Sequence, residues 1–217
     1  MNRSFTAAIA VLSATVFASS AHAQRVSLPP AAPPPFTVLP PPAPPAPPPA
    51  PAPASPMLTT SSTLDVGHIA PDFGLPYADS LGPGSRSVTL SLLRGRVVVL
   101  AFYPGDRTSG CTAELTKFRD EYPKIFGKNT AVIAISVDSI ASHASWAKEM
   151  RFPFVLASDT HLSVADLYGS HNPGRTFASR TVFVIGKDGR ILWRNLKFSA
   201  LNEAAYTELA AEVAKAQ

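Results

Sequence analysis

A proline-rich stretch near the amino terminus most limits what this chain can fold into. Of the 23 prolines in 217 residues, 16 lie between Pro29 and Pro56, and alanine fills most of the remaining positions there. Because proline lacks a backbone N–H and fixes φ, this stretch forms neither helix nor sheet and favours an extended polyproline II conformation. We therefore predict a disordered linker over residues 24–60 and one folded domain over residues 61–217, long enough for a sizeable core.

The first residues have the pattern of a secretory signal peptide. Arg3 supplies a positive charge, residues 5–19 are mostly apolar, and residues 21–23 form an A-x-A cleavage pattern. The apolar run is shorter than the roughly 20 residues that a spanning helix needs, which favours cleavage over a membrane anchor. We predict a signal peptide over residues 1–23 and export to the periplasm of a Gram-negative cell, with no membrane span after cleavage. The linker then acts as a spacer or binds a polyproline-reading partner.

Composition excludes several classes of function. All 15 acidic residues and 17 of the 19 basic residues follow the linker, so the domain has a formal charge of only +2 and no Lys/Arg cluster, which argues against nucleic acid as a partner. A single cysteine, Cys111, excludes a disulfide framework, a C-x-x-C pair and a cysteine-rich zinc site. The five histidines lack metal-ligand spacing, so we predict surface or capping roles for them: His22, His68, His143, His161 and His171. We predict neither a metal nor a cofactor.

The domain alternates between strands and helices. Continuous apolar, β-branched runs predict three buried strands, and a turn at 187–190 leads the third of them into a fourth strand. Before these, residues 87–93 predict a shorter strand and turn. The predicted strands are 96–103, 131–136, 181–185 and 191–193; the predicted helices are 109–122, 142–150, 163–168 and 201–215. In the last helix, Leu201, Ala205, Leu209 and Val213 predict one apolar stripe against a sheet. The pattern indicates an α/β fold with a mixed central sheet flanked by helices.

The stretch after the first buried strand is where we expect chemistry. A turn of Pro104, Gly105 and Asp106 leads into a predicted helix whose first turn contains Cys111. Unpaired N–H groups and the positive end of the helix dipole favour a thiolate at such a position. Alternatively, Cys111 is a small buried side chain with a purely structural role, as free cysteines often are. Its position in the helix alone does not decide between a reactive and a structural cysteine.

Three separated motifs resemble the peroxiredoxins, thiol peroxidases with a thioredoxin-like fold. Pro104, Thr108 and Cys111 match the pattern P-x-x-x-T-x-x-C, and FYPGDRTSGCTAE at 102–114 looks most like the bacterioferritin-comigratory, Q-type branch. RTVFVI at 180–185 resembles the family's R-T-x-F-[VL]-I strand, and VGHIAPDF at 66–73 resembles its opening motif. The similarity extends over about residues 64–214.

The resemblance implies a set of roles. Cys111 would be the peroxidatic nucleophile that becomes a sulfenic acid, Arg180 would hold thiolate and peroxide, Thr108 would position them, and Pro104 would shield the site from water. Backbone N–H groups of Gly110 and Cys111 would add donors. Glu114 either bonds near Arg180 or is an ordinary first-turn acid.

The expected substrates are hydrogen peroxide or organic hydroperoxides. Many Q-type relatives have a resolving cysteine five positions after the nucleophile, where this chain has Thr116. Resolution would therefore use an external reductant: a small thiol, a thioredoxin-like or glutaredoxin-like protein, or a second copy. We expect a monomer or homodimer.

Two other functions share this fold. A thiol–disulfide oxidoreductase needs a cysteine at position 108, where the chain has Thr108. A non-enzymatic envelope binding module would leave Cys111 without a task, and the joint presence of Pro104, Thr108, Cys111 and Arg180 argues against that. The peroxidase hypothesis requires Arg180 to lie beside Cys111 and the sulfur to be reachable by a ligand.

Overall fold

A computed structural model describes residues 64–217 of the chain. The predicted signal peptide, its cleavage site, His22, the whole of the predicted linker and the first three residues of the predicted domain lie outside the described residues. No helix among residues 64–217 is long and apolar enough to cross a membrane.

A mixed seven-stranded sheet forms the centre of the domain, and two further strands pair separately. The strands are β1 Gly74–Leu75, β2 Tyr77–Asp79, β3 Gly82–Pro83, β4 Val88–Thr89, β5 Val97–Phe102, β6 Thr130–Ser136, β7 Val155–Ser158, β8 Thr181–Ile185 and β9 Ile191–Asn195. The order in the large sheet is β3-β2-β7-β6-β5-β8-β9, and β1 pairs with β4. Strands β5, β6 and β7 are parallel, and the other neighbouring pairs are antiparallel. The predicted α/β, thioredoxin-like sheet is confirmed.

The central strand β5 is buried along its whole length. Val97, Val99 and Ala101 point into one apolar cluster, while Val98, Leu100 and Phe102 point into another on the opposite face. A strand covered on both faces needs apolar side chains at every position, which explains the unbroken run in the sequence.

Five helices flank the sheet within the described residues: α1 Ser109–Asp120, α2 Tyr122–Phe126, α3 Ile140–Met150, α4 Ser163–Leu167 and α5 Glu203–Ala216. The single helix predicted over 109–122 is wrong at its end, because a second helix begins at Tyr122. Pro123 has no N–H to donate to the carbonyl of Arg119, so the first helix cannot continue.

The start of the last helix differs from the prediction. Leu201, expected to continue the apolar stripe, precedes α5 and is 84% exposed. The side chain of Asn202 accepts a hydrogen bond from the N–H of Ala204 (3.0 Å) and caps the helix there. The remaining stripe residues, Ala205, Leu209 and Val213, are buried as predicted.

Strand β7 is missing from the sequence-based assignment, although it is an interior strand of the sheet. It has only four residues, and a short apolar run without alternation does not distinguish a strand from other buried segments. Residues 87–93 form the predicted short strand, β4, followed by a 3-10 turn at Leu90–Leu93.

Candidate active site

The sheet register brings Arg180 to the end of β5. Phe102, the last residue of β5, pairs with Thr181, the first residue of β8. Arg180 therefore lies beside the chain that leaves β5 for helix α1. Its Nη2 is 3.4 Å from the Sγ of Cys111 across 69 positions of sequence. The predicted juxtaposition of guanidinium and sulfur is present.

Cys111 is the third residue of α1, and its side chain is fully buried in the cluster that also contains Leu115 and Phe118. The N–H of Thr112 bonds to the carbonyl of Thr108 (2.8 Å), which makes it the first bonded N–H of the helix. The N–H groups of Ser109, Gly110 and Cys111 precede that bond, and the Thr108 side chain does not cap them. Cys111 therefore lies in the first turn of the helix, among N–H groups that make no bond within the helix and at the positive end of the helix dipole.

Gly110 allows the close approach of Arg180. A Cβ at this position would lie 3.1 Å from Nη2 of Arg180, tighter than ordinary van der Waals contact. A side chain at position 110 would therefore require the guanidinium to shift by a few tenths of an ångström from its place beside the sulfur.

Glu114 holds the other nitrogen of Arg180. Its Oε2 accepts from Nη1 in a buried ion pair, while its Oε1 has no hydrogen-bond partner among the described residues. Complete burial raises the pKa of Glu114 to about 7, and the opposing attraction of Arg180 only partly offsets this. Of the two readings of Glu114, the structure favours the bond to Arg180, since the side chain is buried and paired rather than a solvated first-turn acid.

Thr108 and Pro104 lie in the turn between β5 and α1. The Thr108 hydroxyl donates to the carbonyl of Gly105 (3.2 Å), so its oxygen keeps its lone pairs free to accept another hydrogen bond. Pro104 is half-buried at the start of the turn.

A polar cluster beside this turn was not predicted from the sequence. Asp106 accepts a hydrogen bond from Tyr103 and contacts His143, whose side chain is 0% exposed. The prediction of a surface or capping role is therefore wrong for His143. Asp106 and His143 are 37 positions apart, and no local pattern in the sequence connects them.

Cys111 has no exposed surface in this conformation. Thr108 and Ser109 are exposed next to it, and the Arg180 side chain is 17% exposed. The sulfur is therefore covered, so the requirement that a ligand can reach it is not met in this conformation and is met only when the covering groups move.

Comparison with known proteins agrees with this arrangement. Residues 66–194 match the model of the AhpC/TSA family. The chain is similar to a peroxiredoxin Q, chloroplastic, from Oryza sativa subsp. japonica (39% identity over 130 residues, 57% of this chain and 55% of the relative). It is also similar to a putative peroxiredoxin bcp from Coxiella burnetii (34% over 143 residues, 62% of this chain and 91% of the relative).

Among solved structures, peroxidoxin BcpB from Mycobacterium tuberculosis superimposes with a TM-score of 0.60 at 29% identity, covering 71% of this chain and 99% of that one. The chain spans little more than half the length of the plant relatives that it matches. The residues that match the family model include the whole of the site described above.

Proposed function

Because the chain belongs to the AhpC/TSA family, we propose that it is a thiol-dependent peroxidase in which Cys111 reduces hydrogen peroxide or organic hydroperoxides. One observation carries this proposal: the only sulfur of a cysteine in the chain lies at a helix amino terminus, 3.4 Å from a guanidinium nitrogen. The thiolate is the nucleophilic form of a cysteine, and in the proposed reaction it is the form of Cys111 that attacks.

In the proposed reaction, the thiolate of Cys111 attacks the terminal oxygen of the hydroperoxide. An S–O bond forms, the O–O bond breaks, and the second oxygen leaves as hydroxide or alkoxide and takes up a proton to give water or an alcohol. The sulfur is oxidised by two electrons to a sulfenic acid, and the peroxide is reduced by the same two electrons.

Four groups would contact the peroxide in this step, and two more, Pro104 and Glu114, would support them. Arg180 and the N–H groups of Gly110 and Cys111 would donate to the oxygens as negative charge develops on the departing one. The Thr108 oxygen, whose hydrogen is committed to Gly105, would accept the hydrogen of the hydroperoxide O–H. Pro104 would shield the sulfur from water, and Glu114 would keep Arg180 oriented.

Recycling would use an external thiol, because Thr116 occupies the position of a resolving cysteine and the chain has no second cysteine. A thiolate attacks the sulfenic sulfur and expels hydroxide, which becomes water, and a second thiol then releases Cys111 from the mixed disulfide. The external thiol would come from a small thiol, from a thioredoxin-like or glutaredoxin-like protein, or from a second copy of the chain. The chain itself would be a monomer or homodimer. Because Cys111 is covered, both peroxide and thiol require its surroundings to open.

The cellular compartment in which the chain would work depends on the predicted signal peptide and linker. We propose that residues 1–23 are a cleaved signal peptide, that residues 24–60 are a linker, and that residues 61–217 work in the periplasm. Expression in a Gram-negative host, with fractionation and amino-terminal sequencing, tests this directly. A mature chain that begins at Gln24 in the periplasmic fraction supports it, and an unprocessed cytoplasmic chain refutes it.

The experiment that tests the activity is rapid mixing of the purified chain with one equivalent of hydrogen peroxide, followed by measurement of the free thiol. We expect loss of the Cys111 thiol on the order of 10²–10³ times faster than for free cysteine, the range that one preorganised donor to a developing oxyanion contributes. Mass spectrometry should find one added oxygen, and Cys111→Ser should gain none. A thiol no faster than free cysteine would favour the non-enzymatic module, and efficient reduction of insulin disulfides would favour the oxidoreductase.

A further inference from the structure

The peptide bond between Gly105 and Asp106 connects the polar cluster to Thr108. The carbonyl of Gly105 accepts the hydrogen bond of the Thr108 hydroxyl (3.2 Å). The N–H of Asp106, on the other edge of the same peptide plane, donates to Oδ2 of Asp138 (2.8 Å). Because a peptide unit is planar and rigid, a bond that fixes the direction of its N–H also fixes the direction of its carbonyl.

Asp138 is itself held in place. Its Oδ2 accepts a hydrogen bond from the hydroxyl of Ser136 at the end of β6 (2.8 Å). The backbone carbonyl of Asp138 accepts another from the hydroxyl of Ser158 at the end of β7 (2.6 Å). Through Asp138, the direction of the Gly105 carbonyl is therefore fixed relative to two strands of the central sheet.

The side chain of Asp106 anchors the turn a second time. Its carboxylate accepts hydrogen bonds from the hydroxyls of Tyr103 (2.8 Å) and Ser142 (2.6 Å), and it lies 3.0 Å from Nδ1 of His143. Since a carboxylate only accepts, Nδ1 must carry the hydrogen in this contact. Ser142 and His143 belong to the first turns of α3, so the turn is bound to a helix as well as to the sheet.

These anchors are almost completely buried. The side chains of His143 and Asp106 are 0% and 3% exposed. Burial alone would raise the pKa of Asp106, but the bonds from His143, Ser142 and Tyr103 outweigh it, so the pKa lies below its ordinary value. A buried, ionised carboxylate with this many donors has one favourable position, which makes it a rigid anchor.

We propose that Asp106, Asp138 and His143 are the positioning unit of this site: they fix the plane of the Gly105–Asp106 peptide and thereby aim the hydroxyl of Thr108. The inference rests on the proposed peroxidase function, in which Thr108 contacts the hydroperoxide. None of the three residues contacts the reacting atoms, and they act through the peptide and through Thr108. A displacement of about 1 Å in such a group costs up to 10²-fold in rate.

The test compares His143→Phe, which keeps a ring but removes Nδ1, with His143→Asn, which retains an N–H near the same place. Asp138→Ala and the milder Ser142→Ala are further variants, and His161→Phe on an exposed loop is the matched control. In the full chain we expect His143→Phe and Asp138→Ala to lower the rate constant of Cys111 oxidation about tenfold or more. His143→Asn should recover most of the rate, and the control should match the wild type.

A double-mutant cycle separates positioning from general damage to the fold. With Thr108→Val, the hydroxyl that the unit aims is absent, so adding His143→Phe should change the rate less than about twofold. Effects of the two substitutions that multiply would mean that His143 acts independently of Thr108, and the proposal would then be wrong.

Amide hydrogen exchange over residues 104–112 provides a readout that does not depend on peroxidase activity. We expect faster exchange of this segment in His143→Phe and Asp138→Ala, and near wild-type exchange in His143→Asn. If wild-type Cys111 reacts no faster than free cysteine, the proposed function fails while the exchange result still decides whether the unit holds the turn. Unchanged exchange in His143→Phe, Asp138→Ala and Ser142→Ala would overturn the inference; if His143→Phe does not fold, the other two variants decide.

Discussion

Replacement of Glu114 by glutamine tests the electrostatics of the site most directly. Glu114 is fully buried, and burial raises its pKa to about 7 despite the ion pair with Arg180. A carboxyl whose folded pKa exceeds its unfolded value binds its proton more tightly in the folded chain. Its contribution to stability is therefore complete at low pH and is lost as the pH rises through the folded pKa. Glutamine does not titrate but keeps an oxygen that accepts from Arg180.

The size of the effect follows from the shift. The pKa of Glu114 rises from its ordinary value of 4.5 to about 7 in the folded chain. Since one pKa unit is worth about 1.4 kcal/mol, this rise lowers the free energy of unfolding of the wild type by about 3 kcal/mol at high pH. Most of this loss, about 2–3 kcal/mol, falls between about pH 5 and pH 9. The free energy of unfolding of the variant, relative to that of the wild type, should therefore rise by about that amount over this range.

The assay is urea unfolding at several pH values, carried out with both chains in a Cys111→Ser background so that the thiol does not titrate. Other titrating groups are shared by the two chains and cancel in the difference. A different result is expected if the ion pair dominates: the wild type would then lose stability on acidification, and Glu114→Gln would be destabilising at neutral pH. Either that pattern or a difference independent of pH would refute the dominance of burial.

Three further substitutions test other parts of the structure. Arg180→Ala should slow peroxide reduction about 10²-fold or more while changing thiolate content, measured by ultraviolet absorbance, much less, because its main effect is on the departing oxygen; comparable losses in both would contradict this. Gly110→Ala should lower the oxidation rate of Cys111 about tenfold by displacing Arg180. The control is Gly74→Ala, whose new Cβ would lie at an ordinary contact distance of 3.5 Å from the Thr89 hydroxyl oxygen. This control should leave the rate unchanged in the same rapid-mixing assay. Phe118→Ala should reduce the free energy of unfolding by about 3–5 kcal/mol in urea, because its ring is fully buried; a loss below about 1 kcal/mol would mean that this cluster repacks.

The long elements of this fold could be predicted from the sequence because burial on both faces of a strand produces continuous apolar runs. Strand β8 has the predicted bounds, β5 is shorter than predicted by one residue at each end, and β6 is longer by one residue at its start. Strand β7 and the boundary between α1 and α2 could not be predicted so easily. Four residues carry little periodicity, and the effect of Pro123 depends on which carbonyl its missing N–H would have bonded.

The site was predictable in part. The position of Cys111 in the first turn of a helix follows from a strand, a turn and a periodic segment in succession. The contact with Arg180 followed only from the resemblance to a family, since periodicity does not pair distant residues. The burial of His143 could not be predicted, because its carboxylate partner is contributed by a turn in another part of the chain.

The guanidinium of Arg180 has two partners in the site, the carboxyl group of Glu114 and the sulfur of Cys111. The bond to Glu114 fixes one guanidinium nitrogen and thereby the direction of the other towards the sulfur. Replacing Glu114 by glutamine removes the negative charge but keeps an oxygen that accepts a hydrogen bond from the guanidinium. The rate of Cys111 oxidation should therefore survive Glu114→Gln within about tenfold, although Arg180→Ala abolishes most of it. The orientation of the guanidinium, rather than the charge that holds it, is then the contribution of Glu114 to the reaction.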